Sequence, residues 1–357
     1  MADTATALPG AGPPAAGPAD ERLARKGLVR RLLTRPELGA VIGAVAVYLF
    51  FAWQADTFAT VGGTANFLDP ASTLGIMAVA VGLLMIGGEF DLSAGVMTGS
   101  TALVTGLLAT EAGWNIWLAM LVALVFALTI GFFNGLLVIR TGLPSFIVTL
   151  GTFLMLQGVN LGVTKQVTET VQVRGIDAAP GYDSARSVFS STFELGGGTF
   201  RVSILWWIGI TALATWILLR TRPGNWIFAV GGSAPSARNV GVPAARTKIA
   251  LFMTTATAAW LVGCMTAIRL RSVQANAGIG EEFQYIIAAV IGGCLLTGGY
   301  GSAIGASIGA LIFGMAKQGI VFAGWDSDWF QLFLGVMLLL AALLNRFVRT
   351  RVEESRR

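Results

Sequence analysis

Long apolar runs separated by short polar segments make up most of the chain after residue 36. A helix needs ~20 apolar residues, rising 1.5 Å each, to cross the hydrocarbon core of a bilayer. The predicted spans are 37–53, 70–87, 92–110, 115–138, 144–163, 202–219, 248–268, 284–297, 302–322 and 329–345. The run at 284–297 is short, so it is expected to be tilted or broken. The pattern predicts an all-α polytopic integral membrane protein with about ten transmembrane helices.

The distribution of charge orients these spans. Residues 220–248 contain five basic residues and no acid, and basic residues also cluster before the first span and after the last. The segments 54–69, 111–114 and 323–328 contain acids but neither Lys nor Arg. Because Lys and Arg are enriched in cytoplasmic loops, both termini and residues 220–248 are expected in the cytoplasm (N-in/C-in).

Three parts follow along the chain. Residues 1–36, rich in Ala, Pro and Gly and then in Arg, are expected to be a disordered cytoplasmic tail. Residues 37–345 form the transmembrane domain, with a cytoplasmic loop at 220–248 and an external loop at 164–201. Residues 346–357 are expected to be a basic cytoplasmic tail.

Composition limits the chemistry. The 357 residues are 55% hydrophobic and only 12% charged, which is about half the charged fraction of soluble domains. The net charge of +5 follows the membrane topology, so nucleic acid is not an expected partner. The chain has no histidine, and Cys264 and Cys294 lack metal-type spacing. No lysine lies in a Walker-type phosphate loop, so no cofactor is expected in this chain and an ATP-driven role requires a partner.

The segment GGEFDLSAG at 87–95 places two acids inside an apolar region. Residues 70–110 would form ~61 Å of continuous helix, twice the thickness of the hydrocarbon core, so the chain must turn within this segment. The sequence AVGLLMIGGEFDLSAG (80–95) also resembles AVIGGCLLTGGYGSAIG (289–305) once a gap is allowed. Each has a Gly-Gly turn between two spans, which suggests an internal repeat.

Two interpretations of this turn are compatible with the sequence. In the first, Gly87 and Gly88 end one helix, and Asp91 or Ser93 caps the next. In the second, the turn is a helix break that lines a transport route, because polar residues inside a membrane usually face a cavity or a partner. Capping leaves Glu89 unexplained, so Glu89 favours the second interpretation. Both hold if the turn lies deep in the membrane.

Residues 233–241 of the basic loop have the composition of a short, capped helix. Ser233 is a good N-cap, Pro235 suits the first turn, and Gly241 can end the helix. Such a helix can lie along the membrane surface and bind another protein. An ordinary basic cytoplasmic loop is the alternative.

Four motifs, in a fixed order along the chain, carry a family resemblance. GGEFDLSAG (87–95) resembles Gly-Gly-Ile-Asp-Leu-Ser-Val-Gly, and GLPSFIVTLGT (142–152) resembles Pro-Phe-Ile-Ala-Thr-Leu. GNWIFAVGGSAPSARNVGV (224–242) and IIAAVIGGCLLTGGYGSAIGASIGALIFG (286–314) resemble two further glycine-rich motifs of the same proteins. These proteins are the permease subunits of ABC transporters for ribose, xylose, arabinose and related sugars.

The resemblance implies a multi-subunit importer in the bacterial plasma (inner) membrane. Its partners would be a second copy of the permease, an extracytoplasmic sugar-binding protein, and a cytoplasmic ATPase that holds ATP and Mg. By resemblance, the coupling helix that fits a cleft in the ATPase contains Ser233, Pro235, Ala237, Arg238 and Gly241. Candidates for contact with the binding protein lie in the outer segment 269–282, unless they pair with each other: Arg269, Arg271, Glu281 and Glu282.

Further polar residues in apolar spans are candidates for the translocation pathway, together with Glu89, Asp91 and Ser93. They are Asn134, Gln157, Asn160, Lys317 and Gln318. Amides suit the hydroxyl groups of sugars, although hydrogen bonding between helices is the commoner use of such side chains. For Lys317 the alternative is snorkelling to the outer face.

The implied function is a permease subunit, not itself an enzyme, that moves a pentose or hexose inward. Import of a nucleoside or an autoinducer-type sugar derivative by the same architecture is an alternative. A second alternative is an ion-coupled secondary transporter, for which Glu89 and Asp91 would be the coupling acids. A membrane enzyme is disfavoured, because the sequence offers no nucleophile–base pair or metal constellation.

Overall fold

The structure, a computed structural model, describes residues 36–354. Within them are thirteen α-helices, one 3-10 helix (Ile176–Ala178) and four short strands. The helices are α1 (Pro36–Gln54), α2 (Val61–Ile86), α3 (Ala94–Thr110), α4 (Ile116–Thr141), α5 (Ser145–Thr168), α6 (Tyr182–Phe189), α7 (Ser203–Arg220), α8 (Arg222–Gly232), α9 (Ala234–Asn239), α10 (Ala244–Leu270), α11 (Glu281–Ile291), α12 (Ala303–Phe322) and α13 (Trp329–Glu354). The strands are β1 (Gln172–Arg174), β2 (Thr192–Leu195), β3 (Gly198–Arg201) and β4 (Ser272–Gln274).

Seven helices in the described residues are long and apolar enough to cross a membrane, namely α1, α2, α4, α5, α7, α10 and α12. Two shorter apolar segments, Ala94–Thr110 and Trp329–Leu340, occupy two more of the predicted spans. The prediction of an all-α polytopic membrane protein is therefore confirmed. The predicted tail at 1–36 lies almost wholly outside the described residues, whereas α13 continues into the predicted C-terminal tail as far as Glu354.

The remaining predicted span, 284–297, differs most from its prediction. Helix α11 has eleven residues, which is ~16 Å and too short to cross alone. The helix ends at Ile291 because Gly292 and Gly293 follow, and Gly293 adopts a φ of +92°. The start of α2 also differs, since Thr60 caps it by accepting the Gly63 backbone N–H, and Pro70 lies inside the helix.

Helix α2 is the centre of the bundle. About four-fifths of its apolar window (78%) is buried, against 11% for α1 and 22% for α5. It packs against α7, α10, α11 and α12. Close approach depends on small residues, since a Cβ at Gly314 of α12 would lie 2.6 Å from the Cβ of Ala71 on α2. The apolar outer faces of α1 and α5 are suited to lipid.

The two Gly-Gly turns of the predicted repeat have the same hydrogen-bond pattern. After α2, three successive backbone N–H groups, of Gly87, Gly88 and Glu89, donate to the carbonyls of Leu83, Met85 and Leu84. After α11, the equivalent donors are Gly292, Gly293 and Cys294, and the acceptors are Ala288, Val290 and Ala289. A short helix-ending turn of one design therefore occurs twice, as the repeat requires.

Two small antiparallel sheets, which the sequence analysis missed, organise the loops predicted outside. Strand β1 pairs with β4, with Val173 opposite Val273, and β2 and β3 form a hairpin. The hydroxyl of Tyr182 in α6 also donates to the Ile268 carbonyl at 2.8 Å. Strands of three or four residues are too short for an alternating pattern to reveal. The loops at 164–201 and 269–282 thus form one connected region.

Candidate functional site

The segment 87–93 forms a buried turn between α2 and α3. Gly88 has a φ of +83°, a conformation that glycine adopts without strain. The side chains that follow are almost inaccessible, with Glu89 7% and Asp91 3% exposed. The prediction that the chain turns at GGEFDLS is confirmed. Since the turn is buried, each polar group in it needs a partner within the protein.

Asp91 satisfies the start of α3. Its Oδ1 accepts the backbone N–H of Ser93 at 2.9 Å and the Ser93 hydroxyl at 2.5 Å. Ser93 occupies the N-cap position, but its own side chain makes no capping hydrogen bond. Of the two residues that the sequence suggested, Asp91 therefore accepts an unpaired backbone N–H, that of the N-cap residue Ser93, from two residues upstream.

A hydrogen-bond network extends from Ser93 across three helices. The Ser93 hydroxyl oxygen accepts from Asn134 Nδ2 of α4 at 3.1 Å. Asn134 Oδ1 in turn accepts from the Thr152 hydroxyl of α5 at 2.6 Å. Further along α5, Asn160 Nδ2 donates to the Ser100 hydroxyl of α3 at 3.0 Å. Asn134 and Asn160 therefore join helices, which is the commoner of their two predicted uses.

Helix α5 also holds the backbone of the turn. Phe90 N–H donates to the Ser145 hydroxyl, and Leu92 N–H donates to the Thr149 hydroxyl, each at 3.0 Å. Ser145, Thr149 and Thr152 are not among the site residues predicted from the sequence. Their spacing of four and three residues, which puts three hydroxyls on one face of a helix, was the pattern that could have revealed them.

Glu89 forms an ion pair with Lys248 of α10, in which Lys248 Nζ donates to Glu89 Oε1. The two side chains are only 9% and 15% exposed, respectively. By composition Lys248 belongs to the basic 220–248 loop, and no local pattern in the sequence connects it with Glu89. Because a buried carboxylate requires a compensating charge, this pairing explains Glu89 without a role in a pathway.

Three of the predicted pathway residues lie away from this turn. Gln157 of α5 and Gln318 of α12 are partly buried, and Lys317 of α12 is exposed. Exposure of Lys317 agrees with the snorkelling alternative. The assignment of these residues to a pathway stays a prediction.

The short helix predicted at 233–241 is present as α9. The Ser233 hydroxyl accepts the Ser236 backbone N–H at 3.4 Å, and Pro235 lies in the first turn. After the helix, Gly241 adopts a φ of +83° and its N–H donates to the Arg238 carbonyl at 3.0 Å. The sequence therefore specified both ends of this helix correctly.

Helix α9 has one face against the protein and one exposed face. Ala237 is 3% exposed and packs with Val230 of α8 and Ala244 of α10 in a small apolar cluster. Arg238, the next residue, is exposed. The arrangement fixes the helix to α8 and α10 and leaves a basic side chain accessible.

The four candidate residues for binding-protein contact do not pair with each other, so that alternative is wrong. Arg269 makes a two-pronged contact with Asp69, its Nη1 and Nη2 donating to the two carboxylate oxygens at 3.0 and 2.7 Å. Arg201 Nε reaches the same carboxylate at 3.3 Å. Arg271 lies 3.6 Å from Asp177. Each arginine thus has a partner from a different part of the chain, Asp69 in α2 or Asp177 in the 3-10 helix.

The two acids of this group also have local partners. Glu281 Oε2 accepts the Tyr285 hydroxyl at 2.5 Å, and Glu282 Oε2 accepts the Gly280 backbone N–H at 3.0 Å. Glu282 is only 3% exposed, so it is not available to a partner protein in this conformation. Arg269 and Arg271 are the accessible members of the group.

Comparisons with known proteins agree with this architecture. Residues 63–342 match the family model described as branched-chain amino acid transport system / permease component. The inner membrane ABC transporter permease protein YjfF of Escherichia coli (strain K12) is 31% identical over 84% of this chain and 88% of its own. The ribose import permease protein RbsC of that strain is 30% identical, with 88% and 96% covered. The xylose transport system permease protein XylH is 29% identical, with 87% and 92% covered. No solved structure matches the chain.

The fold and these matches define a multi-pass membrane permease. The chain belongs to the ABC transporter permease family that includes the sugar permeases, as its four motifs predicted. The predicted location in the bacterial inner membrane is also confirmed. Its relatives are named as transport permeases, which agrees with a transport subunit rather than an enzyme.

Proposed function

We propose that this chain is the permease subunit of a binding-protein-dependent ABC importer that moves a pentose or hexose inward. The observation that carries the proposal is α9, a capped helix with an exposed Arg238 in a loop without acids, in a chain related to ribose, xylose and fructose permeases. ATP and Mg are held by a separate cytoplasmic ATPase, and sugar arrives from an extracytoplasmic binding protein. A second copy of the permease completes the pathway.

The proposed topology has about ten crossings with both termini in the cytoplasm. Two sets of contacts support it. On one side, Asp69 pairs with Arg201 and Arg269, which joins three loops predicted outside. On the other, Glu89 pairs with Lys248, which joins a turn and a loop both predicted inside. In both sets, each contact joins segments that the topology predicts on the same side of the membrane.

A secondary transporter is less well supported by the site. A coupling acid has to gain and lose an ion during transport, whereas Glu89 is neutralised by Lys248 and Asp91 is occupied by Ser93. Both acids have structural roles that explain their presence. An ATP-driven importer needs neither of them to titrate.

Reconstitution in liposomes tests the proposal. We expect uptake of a monosaccharide only when the chain is combined with its partner ATPase, its binding protein and internal ATP. The binding protein is screened with ribose, xylose, fructose, a nucleoside and leucine, which separates the sugar proposal from its alternatives. Accumulation of a solute against its gradient by the chain alone would overturn the proposal.

A further inference from the structure

Backbone-to-backbone contacts join three segments of the chain near α9. The contacts involve four glycines, here called the glycine junction: Gly88 after α2, Gly231 in the last turn of α8, and Gly298 and Gly299 before α12. A Cβ at Gly88 would lie 3.4 Å from the Cα of Gly231. A Cβ at Gly298 would lie 2.7 Å from the Cα of Gly88 and 2.9 Å from the Gly231 carbonyl oxygen. The segments touch without intervening side chains.

The junction also holds the end of α2. The N–H of Gly299 donates to the carbonyl of Ile86, the last residue of α2, at 2.8 Å. A Cβ at Gly231 would overlap that same carbonyl oxygen. Because backbone cannot change rotamer to absorb a displacement, movement of α8 at Gly231 is expected to shift both neighbouring segments. Those segments are the Gly-Gly turn after α2 and the loop that follows the second Gly-Gly turn, where Gly298 and Gly299 lie.

Both ends of helix α9 are connected to the turn at residues 87–89, between α2 and α3. Gly231 lies two residues before Ser233, the N-cap of α9. Beyond the other end of α9, Lys248 in α10 pairs with Glu89, the neighbour of Gly88. The apolar cluster of Val230, Ala237 and Ala244 fixes α9 between these two contacts. A movement of α9 can therefore reach residues 87–89 through two connections, one at Gly231 and one at the Glu89–Lys248 pair.

We propose that the glycine junction and the Glu89–Lys248 pair transmit the movement of α9 to both helix breaks, the one between α2 and α3 and the one between α11 and α12. This inference rests on the proposed function, in which the ATPase binds α9. Gly231, Glu89 and Lys248 are positioning residues here. They couple ATP hydrolysis to opening of the permease and do not contact the sugar.

Neighbouring glycines of α8 provide a matched test. A Cβ at Gly231 collides with the carbonyl oxygen of Ile86, whereas a Cβ at Gly232 has no atom of residues 36–354 within 4 Å. In the complex with ATPase and binding protein, Gly231→Ala is expected to retain ATPase binding in pull-down assays. We expect it to reduce sugar uptake per ATP hydrolysed on the order of 10-fold, while Gly232→Ala resembles the wild type.

Charge exchange keeps the proposal testable if Gly231→Ala does not fold. Glu89→Lys and Lys248→Glu alone should each lower uptake per ATP, and the double variant Glu89→Lys/Lys248→Glu should recover part of the loss. Thermal stability and pull-down of the ATPase are measured for every variant. A structural role alone would lower stability without changing uptake per ATP in the protein that remains folded.

Two outcomes would overturn the inference. One is a folded Gly231→Ala complex with wild-type uptake per ATP, and the other is a pair of single charge variants with unchanged coupling. Failure of the proposed function gives a different result, because the wild-type complex would then show no ATP-dependent uptake at all. The wild-type measurement therefore separates the two failures.

Discussion

At the turn between α2 and α3, side chains from α5 bind backbone groups that neither helix can satisfy. Thr149 is fully buried, and its hydroxyl donates to the Ser145 carbonyl within α5 while accepting Leu92 N–H from the turn. A buried N–H without an acceptor is costly, so the turn depends on the side chains of α5 as well as on its own sequence.

Replacement of Thr149 by Val should destabilise the protein by roughly 1–3 kcal/mol, because Val keeps the shape but leaves Leu92 N–H without its acceptor. Unfolding of the purified protein in mixed micelles, followed by helical circular dichroism, measures the change. The matched control is Thr129→Val on α4, where the exposed hydroxyl donates to the Val125 carbonyl four residues earlier in the same way. An equal effect of both variants would contradict the role of Thr149.

The polar residues of the turn show which part of a site a single sequence can specify. Asp91 could be recognised as a cap because its partner is two residues away. The partner of Glu89 could not, since Lys248 lies 159 residues further along the chain and belongs to a basic loop by composition. Hydrogen bonds between residues close in sequence can be predicted from the sequence. Pairs between distant helices depend on how the helices pack, which a single sequence does not reveal.

At the scale of elements, the sequence predicts where helices end more accurately than it predicts which helices are buried in the bundle. Ser233 and Gly241 set the limits of α9, and Gly-Gly pairs end α2 and α11 with one hydrogen-bond pattern. Hydropathy located most of the spans, because a helix that crosses a bilayer needs a long apolar segment. It did not predict the first turns of α2, since these contain Gly62, Gly63 and Asn66. It also could not detect strands of three or four residues.

Arg238 allows the role of α9 to be tested separately from its structure. Arg238→Glu should weaken pull-down of the ATPase on the order of 10-fold, because it reverses the exposed charge on the face that we propose for docking. The helix itself should persist, since Ser233 and Gly241 are unchanged. Binding of the purified ATPase to the permease in nanodiscs gives the measurement.

The control for Arg238 is Arg174→Glu, which makes the same exchange at an exposed position of β1, in the loop predicted outside. Its ATPase binding should equal that of the wild type. If Arg238→Glu and Arg174→Glu bind the ATPase equally well, Arg238 does not belong to the interface, and another part of the 220–248 loop has to supply it.

At the scale of the whole molecule, the short helix α11 raises the question of how often the chain crosses the membrane. Helix α11 begins at Glu281, close to the loop region formed by β1 and β4, and ends after eleven residues. The chain then continues without helix to Gly299, whose N–H reaches Ile86 at the end of α2. The segment thus runs from the predicted outer loops to the predicted inner turn. We therefore expect α11 and the non-helical segment after it to cross the membrane together.

Cysteine labelling should establish which loops lie on each side of the membrane. The native residues Cys264 and Cys294 are both buried, so the background reaction of the folded protein with a maleimide should be low. Leu195→Cys, 65% exposed in the β2–β3 hairpin, should react with a membrane-impermeant maleimide in spheroplasts. Val240→Cys, 78% exposed beside α9, should react only after the membrane is opened, because the 220–248 loop is predicted in the cytoplasm.

The pair is matched, since both positions carry exposed aliphatic side chains outside the apolar helices. Labelling of both positions in intact spheroplasts would place α9 on the outside, where no ATPase could reach it, and would contradict the proposed coupling together with the topology. The reverse pattern, with Val240→Cys labelled first, would invert the orientation of the whole bundle. In opened membranes, added ATPase should protect Val240→Cys from the maleimide if the ATPase binds beside α9. The same thiol then reports both the side of the membrane on which α9 lies and the binding of the ATPase.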